Sequence, residues 1–219
     1  LLNMLAGRTP NDITKYPVFP WIVADYQSTT FNMNNPRFFR DLTKPIGALN
    51  EKRLSVLKDS MAYIEEEQQR CLYRSHYSTP PGVIGMLIRQ EPFTSMHYHL
   101  QNGKFDHPDR LFYSIPNAWF SVNNSLSDYR ELIPEFFYKS DFLVNSRHLN
   151  FGKLTSGALV DSVVLPPWAS DPRDFVEKNF AALNSEYVTT HLHHWIDFIF
   201  GVKRNSLEAD NVFHFYAYP

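Results

Sequence analysis

Cysteine is nearly absent. The one thiol among 219 residues, Cys71, excludes an internal disulfide and fits a reducing compartment. In that setting the glycosylation sequon Asn123-Asn124-Ser125 is a chance match. An excess of one charge is missing too. The formal net charge is -2, which supplies neither the basic stripe that nucleic acid favours nor bulk attraction to an acidic lipid surface. No apolar run approaches the ~20 residues that a membrane-spanning helix needs. Glycine is scarce, eight residues against fifteen prolines, so changes of direction fall to stiffened turns and extended steps before proline. The chain has no Gly-x-Ser-x-Gly elbow, no phosphate-cradling glycine loop and no His-Glu-x-x-His pair. Its opening residues 1–7 carry neither an initiator methionine nor a charged signal-peptide head, as expected of a piece cut from a longer chain.

Aromatic rings are what the chain has in excess. They make up 16% of the residues, eighteen Phe and twelve Tyr among them. Each ring hides a large area, and each buried Tyr hydroxyl needs a partner. The length suits one domain, or at most two small ones, with a sizeable core. The composition therefore points to much irregular backbone packed around aromatic anchors.

Helical signals stand between the irregular stretches. Residues 1–6 read as the end of a helix with Gly7 as its left-handed cap. Leu54, Leu57, Met61 and Ile64 recur at helical spacing and predict an amphipathic helix from Glu51 to about Arg70. Its Glu65-Glu66-Glu67 run reads as a solvated face. Thr79-Pro80-Pro81 heads a second helix through Ile88, and Pro92 a third through Leu100 that Gly103 ends. Pro108 heads a turn carrying Leu111 and Phe112. The stretch 128–137 is short helix or turn because Pro134 interrupts it. Asp171-Pro172 is a capped start for a helix bearing Phe175, Val176, Phe180 and Leu183. Ser185 opens another, striped by Val188, Leu192, Trp195, Ile196 and Ile199 and ended at Gly201. Weak strand signals fall at Ile22, Ala24 and Tyr26, and across residues 160–165.

Several side-chain sets could carry chemistry. His191, His194 and Asp197 share part of a helical face, and zinc sites do use such pairs; they define the rival reading of a metal-dependent hydrolase, although Leu192 stands where a metalloprotease would place Glu. His97 and His99 fall on different sides of a helix. Cys71 with His76 has no nucleophile-like setting. The densest set is Phe105, Asp106, His107, Asp109, Arg110 and Phe112. Two carboxylates, an imidazole and a guanidinium so close together must be solvated, paired or used, since burial without a partner costs several kcal/mol. Either they form a charge-paired network that locks irregular backbone, with Arg forking to a carboxylate, or they line a groove that recognises a partner segment.

That set lies in a stretch which, with others, resembles a known family. Glu91-Pro92-Phe93-Thr94 and Lys104-Phe105-Asp106-His107-Pro108-Asp109-Arg110-Leu111-Phe112 are similar to segments of the BEACH domain, named after the beige and Chediak-Higashi proteins. So are Tyr16-Pro17-Val18-Phe19-Pro20-Trp21, Arg40-Asp41-Leu42-Thr43-Lys44-Pro45-Ile46-Gly47, Glu131-Leu132-Ile133-Pro134-Glu135-Phe136-Phe137-Tyr138, Leu165-Pro166-Pro167-Trp168-Ala169 and Trp195-Ile196-Asp197-Phe198-Ile199-Phe200-Gly201, in the same order along nearly the whole chain. The resemblance implies a mainly α fold with little β, in which helices surround a core of extended, non-periodic segments, over residues 1–219 as a single domain truncated at both ends of the family pattern. It further implies a non-enzymatic scaffold without cofactor, acting in vesicle trafficking, membrane fission and fusion, lysosome-related organelles or autophagy. The implied partners are a PH-like domain and WD40 repeats of the same chain and trafficking proteins, with no nucleic acid, in a cytoplasmic protein held peripherally on endomembranes.

Overall fold

Arginine, rather than a β-ladder, ties together much of this protein. The computed structural model describes residues 16–66 and 69–215; the helix end expected at residues 1–6 lies outside them. Among the described residues, seven α-helices follow in chain order: α1 Glu51–Ala62, α2 Pro80–Met86, α3 Phe93–Leu100, α4 Ile115–Asn124, α5 Glu135–Tyr138, α6 Pro172–Leu183 and α7 Glu186–Ile199. Caps set most of their starts. The Asn50 side chain accepts from the amides of Lys52 and Arg53, Thr79 from Gly82, Ser114 from Asn117 and Ser185 from Val188, each satisfying an otherwise orphaned donor. The caps expected at Asp171 and Ser185 are in place.

Helix α1 stops at Ala62 rather than near Arg70. Its apolar stripe fades after Met61, where Tyr63 is 86% exposed. The acidic run that follows opposes the negative end of the helix dipole. Helix α4 carries no sustained charge pattern, and the sequence reading passes over it. Its signal was the Ser114 cap two residues before Pro116.

Among the described residues the extended segments join only through isolated bridges, Phe19 with Leu132, Val23 with Phe39 and Ser114 with Val164 among them. Neither suspected strand forms a ladder, and the reason is geometric. Ile22 and Val23 are both fully buried, so the segment has no solvent face to alternate with. Across residues 160–165 successive amides reach different segments: Val160 donates to Gly152 O, Val163 to Leu143 O and Val164 to Tyr113 O.

Rings fill the space between. Trp21, Tyr26, Phe38, Phe136, Phe142 and Phe175 are almost wholly buried, with Trp168 stacked on Phe175 at 5.6 Å and 15°. Around them three buried guanidiniums gather backbone carbonyls. Arg53 donates to Ile46 O at 2.7 Å and Val122 O at 2.5 Å. Arg89 donates from Nε and Nη2 to Asp161 O and from Nη1 to Phe112 O, its plane over Phe151. Arg40 pairs with Glu131 at 2.7 Å, both side chains sealed from solvent. Glu131 also accepts from the Trp21 amide and the Trp195 indole. A guanidinium presents several donors in a fixed fork, which suits carbonyls arriving from unrelated directions.

Candidate functional site

The stretch 105–112 is held from below by α3 and from the side by residues 149–155. Phe105 wedges between Tyr98 at 4.5 Å and Phe151 at 4.7 Å, with the His97 ring at 5.8 Å. The Asp106 amide donates to His97 Nε2 at 3.2 Å, and the Asp106 carboxylate accepts from the His107 amide at 2.7 Å. His107 Nδ1 then accepts from the Asp109 amide and caps a short 3-10 turn, Pro108–Arg110. Asp109 receives both the amide and the hydroxyl of Thr155. The Thr155 hydroxyl in particular holds its carboxyl below the usual range.

Pairing within the set is loose. Arg110 meets Asp106 with one nitrogen at 3.6 Å while remaining 75% exposed, so the bidentate fork expected there is absent. His107 Nδ1 and Asp109 lie 3.1 Å apart at the surface. The forks that lock irregular backbone belong instead to Arg53 and Arg89. Phe112 stands apart from the other five: it is buried among Phe136 and Phe142, so its ring offers nothing to a partner. The turn divides the remainder. Phe105, Asp106 and His107 line an open groove of about 710 Å³ with Tyr98, Lys104 and Phe151. Asp109 and Arg110 border a smaller cleft of about 150 Å³ on the other side, toward Asn117 and Arg130.

The other candidate sets do not assemble. His191 Nδ1 lies 2.8 Å from Tyr187 O, its ring stacked on Tyr187, and its centroid is 6.4 Å from that of His194. Burial, then the neighbouring His193, Lys203 and His191, push the His194 pKa down. Among the described residues no group of three or more His, Cys, Asp or Glu could hold a metal ion. Cys71 is buried, and burial pushes its thiol up, away from the thiolate that a nucleophile needs. His97 and His99 do fall on opposite sides of α3, His97 buried and His99 exposed.

Comparison with known proteins agrees with this architecture. The family model for the Beige/BEACH domain matches residues 1–219. The chain belongs to the BEACH family. This BEACH domain is 47% identical over 223 residues to BEACH domain-containing protein B of Arabidopsis thaliana, covering 100% of the chain and 9% of that protein. It is 48% identical over 221 residues to BEACH domain-containing protein lvsD of Dictyostelium discoideum, covering 99% of the chain and 7% of that protein. With Beige protein homolog 1 of Schizosaccharomyces pombe the identity is 46% over 228 residues, covering 100% of the chain and 9% of the relative. The chain thus spans less than a tenth of each of these relatives. The mainly helical fold around a non-periodic core, implied by the resemblance, is the fold observed in the BEACH domain. The buried arginines that pin that core escaped the sequence reading. Their one signal was position, Arg40 directly after Phe38-Phe39 and Arg89 directly after Met86-Leu87-Ile88.

Proposed function

We propose that this BEACH domain is a non-enzymatic docking platform within a larger scaffold protein of membrane traffic. Its implied settings are vesicle trafficking, membrane fission and fusion, lysosome-related organelles and autophagy. It works in the cytoplasm, peripherally on endomembranes, with a PH-like domain and WD40 repeats of the same chain and trafficking proteins as partners. The single observation that carries the reading is the exposed turn at residues 105–110. Its charges are only loosely paired with one another, it borders a groove whose accessible rings are Phe105 and Tyr98, and it stands on backbone fixed by Arg89. Aromatic walls with exposed charges at the rim are what a protein interface requires. Among the described residues no helix is long and apolar enough to cross a membrane.

The test is binding of the PH-like region to this domain, by calorimetry, for the native protein, Arg110→Glu and Asp106→Lys. Both side chains can change without opening the core, because Arg110 is largely exposed and Asp106 is 26% exposed. Affinity is expected to fall about tenfold for each reversal with an unchanged melting temperature. Equal affinity for all three proteins would remove this surface from the interface.

A further inference from the structure

One buried titratable group sits directly beneath the docking turn. His97 is 7% exposed and is the acceptor for the Asp106 amide at 3.2 Å. An imidazole nitrogen accepts only when it carries no proton, so this bond requires neutral His97 with its hydrogen on Nδ1. Protonation of Nε2 would place an N–H against an N–H. The imidazolium would at the same time attract the nearest carboxylate, that of Asp106, which now accepts from the His107 amide and meets Arg110 at 3.6 Å. Both changes act on one short segment. The amide of Asp106 loses its acceptor, and its carboxylate gains a reason to leave Arg110.

We propose that His97 is a proton-operated latch that regulates the docking turn. Neutral His97 holds Asp106 beside Arg110. Protonated His97 draws the carboxylate inward, frees Arg110 and loosens residues 105–110. The inference rests on the docking reading for its biological meaning, but not for its physics.

The surroundings decide where the latch works. Asp106 is the charge facing His97 from the turn, with Arg110 behind it and Lys104 and His107 on the same groove. From residues 145–151 comes Arg147, paired with Glu91 and touching Thr94 one helical turn before His97. Burial lowers the His97 pKa, and the attraction of Asp106 only partly offsets this. The sign follows. The unfolded chain takes up a proton near the ordinary histidine value of 6.5, while the folded chain resists until lower pH. The neutral, latched form is therefore complete above that value, and its contribution to stability falls as pH drops below it.

The experiment follows the His97 ring and the Asp106 amide by NMR in the same sample between pH 7.5 and 5. The Asp106 amide proton is expected to move upfield with the midpoint of the His97 titration. Its exchange protection, normalised for intrinsic rate, should fall about tenfold, as expected for loss of one hydrogen bond. His97→Gln supplies an uncharged acceptor of similar reach and is expected to remove the pH response. An amide that stays fixed while His97 titrates would overturn the latch, as would the same response in His97→Gln. Affinity for the PH-like region, measured across the same range, separates the two proposals. If the latch operates and affinity does not follow it, the latch does not regulate docking and the proposal fails in that part, while the charge-reversal variants decide the docking reading on their own.

Discussion

At the scale of single residues, the work of holding this backbone falls to side chains that are costly to bury. Arg89 is the clearest case. Burial lowers its pKa to about 10, against partial compensation from Asp161, which still leaves it charged at neutral pH. It keeps Asp161 O and Phe112 O in register with α2 and α3 by donating to both. Arg89→Met preserves much of the volume and removes every donor. With two carbonyls left unpaired, the loss in stability is expected to be about 3 kcal/mol, read from the urea midpoint. Arg89→Lys should recover only part of it, because one ammonium cannot reproduce a planar fork. A loss below about 1 kcal/mol for Arg89→Met would mean that water replaces the guanidinium and that the fork is dispensable.

At the scale of elements, the helices divide by how local their signals are. Helix α6 starts where Asp171 accepts from the amides of Arg173 and Asp174 at 2.8 and 2.9 Å. Asp171→Ala is expected to cost about 1 kcal/mol in thermal unfolding, and Asp171→Asn almost nothing. Equal losses for the two variants would assign the effect to charge rather than to the cap. Local signals of this kind made α6, α7 and α2 legible in the sequence. The end of α1 was misplaced because Ile64 keeps the helical spacing on paper, while the helix stops at Ala62 and Tyr63 beside it is exposed. The segments around Ile22 and Val163 misled as well. Around Ile22 both faces are covered, so alternation has no solvent side to report. Across residues 160–165 the amides of Val160, Val163 and Val164 go to three different segments, so no ladder forms although Val164 is exposed. The cluster at residues 105–110 was legible in the sequence as a group. Burial of Phe112 was not, because it depends on Phe136 and Phe142 further along the chain; nor was the acceptor role of His97, which depends on how the turn folds back onto α3.

At the scale of the whole molecule, one ion pair joins segments far apart in the chain. Glu131 holds Arg40 and accepts from the Trp21 amide and the Trp195 indole, while the Tyr187 hydroxyl donates to Arg40 O. The pair thus links segments near residues 21, 40 and 131 to α7. Glu131→Gln removes the charge that balances a sealed guanidinium, and the expected cost is about 3–5 kcal/mol, seen as a lower melting temperature. Replacing both partners with apolar residues should recover part of that loss. A variant Glu131→Gln that melts with the native protein would show the pair to be peripheral to stability.

The Glu131–Trp195 bond also bears on synthesis at the ribosome. Translation delivers Trp21, Arg40 and Glu131 well before the indole that completes their shared site. Until residue 195 has cleared the exit tunnel, a carboxylate and a guanidinium destined for a dry interior must stay hydrated, and the rings around them uncovered. Contacts spanning so much of the chain delay closure, so the nascent protein passes through a long interval in which chaperones would find it exposed.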